Sequence, residues 1–296
     1  MLAYPVSDKP IDYKSVVYMQ PKLDGVRCLI QAEKKFVTES RKHHGTARIF
    51  KTVVTAYSRN GNEWKNINHI LKELEPFFME YPDVILDGEL YNHDFKDDFE
   101  SIISMVRKTK PTDEDRYISA QNVHFHCYDV ILPKYYEYFK YEHRRNFIVQ
   151  NLPIRDCING LFTQLVSSEK EAKEFHKHSL ELGYEGSIIR TNDVYKHGRS
   201  WSLRKFKDFK DAEANIVGYE EGKGKRQGTL GKFLMQDDDG IQFGCPPGKG
   251  HNYKDLAKML EDIHKYMGQR ATFTYFERTK AGSYRHPLFK CIRNYE

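Results

Sequence analysis

The strictest constraint in this sequence is the order of elements after residue 209. Residues 214–219, 232–236 and 241–245 read as three strands. Residues 253–267 then carry Leu256, Met259, Leu260 and Ile263 at helical spacing, with Gly268 as the stop. Residues 271–277 and 288–293 return to strand character. Three strands, a helix and two strands is the order of a small barrel of the OB type.

The chain before that point has a different texture. Strand-like runs at 16–20 and 26–31 flank a Lys22-Leu-Asp24-Gly25 turn, and 55–58 leads into Arg59-Asn60-Gly61, another turn signal. Ile67, Ile70, Leu71, Leu74 and Phe78 follow helical spacing. Residues 84–91 read as a strand interrupted by Asp87-Gly88-Glu89, and 123–132 as another. Ser168-Glu-Lys-Glu171 spells a capping box that opens a helix closed by Gly183, and 187–190 resume a strand. With the boundary at 208–212, the expectation is an α+β chain: a first domain over 1–208 and an OB-fold β-barrel over 209–296. A length of 296 residues suits two domains, and 39% hydrophobic with 14% aromatic residues excludes a disordered chain.

Other classes are excluded just as simply. No apolar run reaches the ~18 residues of a membrane helix. Residues 1–10 lack a secretory pattern, so an intracellular protein with no membrane partner is expected. The five cysteines are scattered without a CxxC, against structural zinc or a disulfide framework. His124/His126 and His176/His178 form HxH pairs, but one alternates along a strand and the other sits in a charged helical stretch, a poor basis for a metal site. The net charge is +5, and residues 196–232 alone hold ten Lys/Arg against five Asp/Glu. Such a segment is either a solvated face or a surface for polyphosphate or nucleic acid.

The chemistry concentrates in a few short motifs. Lys22, at a strand end before Asp24-Gly25, is a candidate nucleophile, with ordinary turn chemistry as the alternative. A lysine must be neutral to attack, and nearby cations lower its pKa from about 10.4. Glu89 and Glu185 are two strand-borne carboxylates of the kind that hold Mg²⁺ together with phosphate oxygens. Lys205 and Lys207 alternate onto one strand face, where they are either solvated or meet phosphate. Arg285, Lys290 and Arg293 fall in the last strand region.

Taken in order, Lys22-Leu-Asp24-Gly25-Val-Arg27, Ser58-Arg59-Asn60-Gly61, Leu86-Asp87-Gly88-Glu89, Tyr128-Asp129, Glu185-Gly186 with Arg190, and Leu203–Lys207 running into Phe209-Lys-Asp-Ala-Glu213 resemble the motifs of the ATP-dependent DNA ligases, covalent nucleotidyltransferases. The minimal viral and phage enzymes are the nearest likeness, and it runs from about residue 18 to 293. Arg285-His-Pro-Leu-Phe-Lys-Cys-Ile-Arg293 resembles the family's last motif.

The resemblance implies an adenylyltransferase domain with antiparallel sheets. In it Lys22 takes AMP from ATP, passes it to the 5′-phosphate of a nick, and the 3′-hydroxyl then displaces AMP. By the same resemblance Asp24 belongs to the catalytic motif, and Glu89 and Glu185 hold Mg²⁺, with Mn²⁺ as a substitute. Arg27 and Glu89 lie near the ribose and phosphates, Lys205 and Lys207 on the α-phosphate, and Tyr128 against adenine. The backbone or side chain around Gln20 reads the base edge. Arg59 and Arg199 hold the nick, and Arg285 and Arg293 belong to the nucleotide site. The implied partner is nicked duplex DNA, with RNA-containing duplexes as a further substrate, and the implied state is a monomer.

Two departures stand out. Residues 222–231 are short where many viral relatives carry a long basic hairpin that wraps the duplex. Little sequence follows Arg293, where larger ligases have an acidic-then-lysine tail. Two other readings remain: an RNA ligase or GTP-using capping enzyme of the same chemistry, and a non-catalytic binder with an OB barrel.

Overall fold

The computed structural model describes residues 1–41, 45–133, 136–248, 250–279 and 281–293, with 38–41 and 45–48 described through their backbone alone. The chain divides into two units, Met1–Phe206 and Lys207–Glu296.

The first unit is built on two five-stranded sheets. One takes β1 (Leu2–Pro5), β2 (Val17–Pro21), β8 (Gln164–Val166), β9 (Ser187–Thr191) and β10 (Arg199–Phe206) in the order β1-β10-β9-β2-β8. The other takes β3 (Val26–Arg41), β4 (Gly45–Tyr57), β5 (Ile85–Tyr91), β6 (His124–Ile131) and β7 (Ile158–Gly160) in the order β4-β3-β5-β6-β7. The chain therefore crosses from one sheet to the other through the four residues 22–25, between β2 and β3.

Apolar residues facing inward drive this arrangement. Helix α1 (Asn68–Glu80) buries Ile70, Leu74, Phe77 and Phe78 in a core shared with Cys28, Ile30, Leu86, Leu90 and Phe125 of the second sheet. Helix α5 (Glu169–Glu181) packs Ala172 and Phe175 onto Val17, Met19, Val166 and Ile189 of the first. Helices α2 (Phe99–Val106), α3 (Asp113–Asn122) and α4 (Tyr141–Asn151) complete the unit. None of these three stood out in the sequence. Helix α4, for example, carries its charges in its first half without a continuous apolar stripe, and buries Arg144 beside Tyr141 and Ile148.

Several local expectations need correction. Strand β5 is not interrupted at Asp87-Gly88-Glu89; it pairs continuously with β3. Gly88 is there for close approach, since a Cβ would lie 2.4 Å from the Phe125 ring. The irregularity sits on the partner strand instead: Asp87 faces Asp129 and Gly88 faces Cys127, leaving Tyr128 as the extra residue of a bulge. At α5, Ser168 Oγ accepts from the Glu171 amide, but the Glu171 carboxylate turns to the amide and hydroxyl of Ser167, so the expected reciprocal box is not formed. The helix expected over 253–267 ends at Glu261, and a separate short turn follows over Ile263–Lys265.

The second unit contains β11 (Lys210–Glu221), β12 (Leu230–Gln236), β13 (Gln242–Cys245), α6 (Tyr253–Glu261), β14 (Arg270–Tyr275) and β15 (Leu288–Ile292), with sheet order β13-β12-β11-β14-β15. The chain after β13 closes the sheet on itself. Pro247 bridges Phe289 in parallel, Phe289 N donates to Pro246 O at 2.8 Å, and Gly248 N donates to Phe289 O at 3.0 Å. Phe233, Met235, Phe243, Phe273 and Phe289 fill the interior with Leu256 and Met259 of α6. No helix among the described residues is long and apolar enough to cross a membrane.

Phe233 is fully buried at the centre of that barrel. Phe233→Ala is expected to cost about 3–5 kcal/mol of stability, read as a lowered denaturant midpoint of the second unit's unfolding.

Candidate active site

Lys22 is held from both sides by its backbone. Its amide donates to Gly186 O at 2.9 Å, and its carbonyl accepts from the Glu185 amide at 3.1 Å. This reciprocal pair extends the β2–β9 ladder and brings the Lys22 ammonium into an ion pair with the Glu185 carboxylate. The Lys22 side chain is 23% exposed and that of Glu185 only 4%, so the amine can be reached from solvent while its counter-ion is walled in. Gly186 permits the approach: its φ is +142°, and a Cβ there would lie 2.3 Å from Phe206 O at the end of β10. Lys205, on β10, stands opposite Ile188 of β9, the strand that begins two residues after Glu185, so the expected strand position of Glu185 is a bend just before that strand.

The other sheet supplies the facing wall. Asp87, Glu89 and Tyr91 alternate onto one side of β5, and the β6 bulge places Tyr128 beside them. The Tyr128 hydroxyl donates to Glu89 Oε2 at 3.4 Å, a long bond. Burial pushes the Glu89 carboxyl up to about 7, against the opposing pull of the Lys22 charge. Burial likewise drives the Tyr128 phenol well above its usual range.

Behind this wall lies a buried polar network. Arg27 Nε and Nη2 donate to the two Asp87 oxygens at 2.9 and 2.8 Å, and the Tyr195 hydroxyl donates to Asp87 Oδ2 at 2.8 Å. Asp129 is fully buried and accepts from Arg144 Nε at 2.7 Å and Arg190 Nη1 at 2.8 Å. Gln20 Oε1 in turn accepts from Arg190 Nε at 2.6 Å, while its amide nitrogen donates to Tyr141 Oη and Thr163 Oγ1, each at 2.9 Å. The Gln20 side chain is thus committed to Arg190, Tyr141 and Thr163, and the Arg27 guanidinium is bidentate on Asp87. Both arginine pairs exist because a buried carboxylate needs a cation to offset its lost hydration.

The remaining candidates are spread more widely. Asp24 lies in the 22–25 turn; burial, with Tyr184 and the Asp24 charge adding to it, pushes the Tyr91 phenol above its usual range. Arg59 is exposed in the turn after β4. Arg199 donates to Ala3 O at 2.8 Å and lies 5.3 Å above the Tyr4 ring. The shared strand face expected for Lys205 and Lys207 is not formed, because β10 ends at Phe206. Lys207 belongs to the second unit, its amine 4.3 Å over the Phe276 ring. There Arg285 pairs with Glu277, Lys290 with Asp211 at 2.8 Å, and Arg293 with Glu213 at 3.0 Å. The histidine pairs do not converge. His124 and His126 have ring centres 6.5 Å apart, and burial takes His126 down to about 4. His176 stacks on Phe206 and His178 faces outward.

Asp87, Asp129, Arg144, Arg190, Tyr141 and Tyr195 are the site-building residues that carried no assigned role in the sequence. Asp87, Asp129 and Arg190 at least stood inside motifs. Arg144 had no signal, since it stands in no motif and in a segment where no element was expected.

A lysine pinned between two sheets, followed by a closed five-stranded barrel, defines a nucleotidyltransferase unit with an OB-like unit after it. Residues 1–207 match the family model of the ATP-dependent DNA ligase domain, and 221–293 match that of the DNA ligase OB-like domain. The chain belongs to the ATP-dependent DNA ligase family. It is 25% identical over 318 aligned residues to the DNA ligase of Enterobacteria phage T6, covering 91% of this chain and 62% of the phage protein. It is 40% identical over 116 residues to the DNA ligase of Thermococcus onnurineus, covering 35% of this chain and 20% of that one. The chain thus spans less than two thirds of the length of these relatives. A solved Lig E DNA ligase shares the fold, with a TM-score of 0.72 and 23% identity over 99% of this chain and 98% of that one.

A carboxyl held near 7 binds a proton on folding, because its unfolded value is about 4.3. Glu89 therefore lowers stability as pH rises from about 4 to 7, the window in which the folded state holds the extra proton. Glu89→Gln is expected to raise the melting temperature of the nucleotide-free protein at pH 8 by a few degrees. At pH 4 it should leave that temperature nearly unchanged.

Proposed function

We propose that this chain seals 3′-hydroxyl/5′-phosphate nicks in duplex DNA through an AMP carried on Lys22. The observation that supports this most directly is the tie between Lys22 and Glu185-Gly186, which sets an accessible amine against a buried carboxylate. Paired with Lys22, Glu185 is suited to take a proton from the ammonium first, so that the neutral amine attacks the α-phosphorus of ATP and pyrophosphate leaves. The phosphoramidate then passes AMP to the nick's 5′-phosphate, and the 3′-hydroxyl displaces it. Each step is a phosphoryl transfer, in which positioning and charge neutralisation do most of the catalysis.

Lys205 is suited to offset charge on the α-phosphate, and the Tyr128 ring offers a flat face to adenine. Asp24 acts within the nucleophile's turn, with Arg59 and Arg199 on the DNA. Lys207, Arg285 and Arg293 are the second unit's candidates for phosphate contact.

Glu89 and Glu185 fit a hard divalent cation, Mg²⁺ with Mn²⁺ as a substitute. Burial leaves Glu89 seeking positive charge, and its hydrogen bond from the Tyr128 hydroxyl is long. No group of three or more His, Cys, Asp or Glu is gathered for a metal among the described residues, so phosphate oxygens and water would complete the coordination. The ion would neutralise phosphate charge. Arg27 serves by orienting Asp87 beside Glu89, and Gln20 by holding Arg190.

Labelling with α-³²P-ATP is expected to mark wild type and not Lys22→Ala, and Lys22→Ala is expected to abolish sealing of a nicked duplex. Labelling by GTP alone, or sealing by the alanine variant, overturns the proposal. DNA–DNA, RNA-splinted and RNA–RNA nicks in the same assay define which strands are accepted.

A further inference from the structure

Strands β3 and β4 continue well past the sheet they belong to. Among the described residues, β5 pairs with β3 over Val26 to Gln31, whereas β3 and β4 stay paired out to Arg41 opposite Gly45. Ala32 and Val54 still pack against the core. Beyond them the two strands continue as a two-stranded ribbon about 30 Å long, at ~3.4 Å per residue.

The composition of this ribbon is unusual for an exposed edge. Residues 32–54 contain six Lys/Arg and two Asp/Glu, a net charge of +4. On one face, Val37 and Val53 line a cavity with Glu75, Phe78 and Met79. The opposite face presents Lys34 and a directly paired Phe36–Phe50, whose rings lie 5.1 Å apart and are 62% and 60% exposed. Lysines on an edge ribbon are accounted for by protection against strand-to-strand aggregation. Two large exposed aromatics side by side work against that protection, and so point to a partner.

We propose that the β3–β4 ribbon is an arm that grips duplex DNA, with its cations on the phosphates and the Phe36–Phe50 pair against the sugar and base edges of a groove. A two-stranded ribbon fits the ~12 Å major groove, and the charge is complementary to a polyanion. This rests on the nick-sealing reading for the identity of the polyanion.

The test compares the full chain with a variant in which residues 36–50 are replaced by Asn-Gly. Lys35 and Lys51 face each other directly, so a two-residue turn can close the shortened hairpin. Two measurements are made: Lys22 labelling by ATP without DNA, and equilibrium binding to a nicked duplex across a salt series. Labelling is expected to match wild type. Binding is expected to weaken at least tenfold, and the slope of log K against log salt to become shallower by about 2, as two phosphate contacts are lost. Unchanged affinity and slope overturn the arm. Wild type that binds duplex but never labels Lys22 overturns the ligase reading, while the affinity comparison still judges the arm. If the shortened chain fails to label, Phe36→Ala/Phe50→Ala replaces it. A severalfold loss of affinity is then expected, and wild-type affinity overturns the arm.

Discussion

The contact on which the rest depends is the reciprocal backbone pair between Lys22 and Glu185-Gly186. It fastens the turn that joins the two sheets to the start of β9, so the position of the Lys22 backbone is set by main-chain bonds. The ion pair with Glu185 then uses a carboxylate almost wholly removed from water, where an opposite charge is felt strongly. Gly186 is the condition for this arrangement, because any side chain there would collide with the β10 backbone.

Charge is handled in two layers. Nearest the lysine, burial outweighs the pull of the Lys22 charge and holds the Glu89 carboxyl up at about 7. Further in, Asp87 and Asp129 are fully committed to Arg27, Arg144 and Arg190, and Gln20 links that network to Tyr141 and Thr163. A buried carboxylate with an arginine on it is costly to disturb, since removing either partner strands a charge out of water. The inner layer therefore acts as a rigid support, and the outer layer keeps its chemistry available.

The second unit shows a different economy. Its barrel closes through one short parallel bridge at Phe289, and its motif cations Arg285, Lys290 and Arg293 are each paired with an acid of the same unit. These exposed or half-exposed pairs are weak individually, so phosphate can compete for the cations at little cost.

Much of this was legible in the primary structure. Alternating apolar runs located most of the strands, helical spacing located α1 and α6, and Lys22, Glu89 and Glu185 were marked by the glycines beside them. What could not be read was which side chains a bulge or a sheet crossing would bring together. Tyr128 joins Glu89 because one extra residue in β6 shifts the pleat, and nothing in His-Cys-Tyr-Asp announces that shift. Gln20, Arg27 and Arg144 look available as letters. Arg27 is consumed by a carboxylate 60 residues away and Arg144 by one 15 residues away, while Gln20 is taken up by Arg190, Tyr141 and Thr163, 170, 121 and 143 residues away. Local pattern determines periodicity and turns because those depend on neighbours in the chain. Tertiary structure alone decides which buried charges must find each other, because that cost is set by the exclusion of water from a space that exists only once the sheets have met.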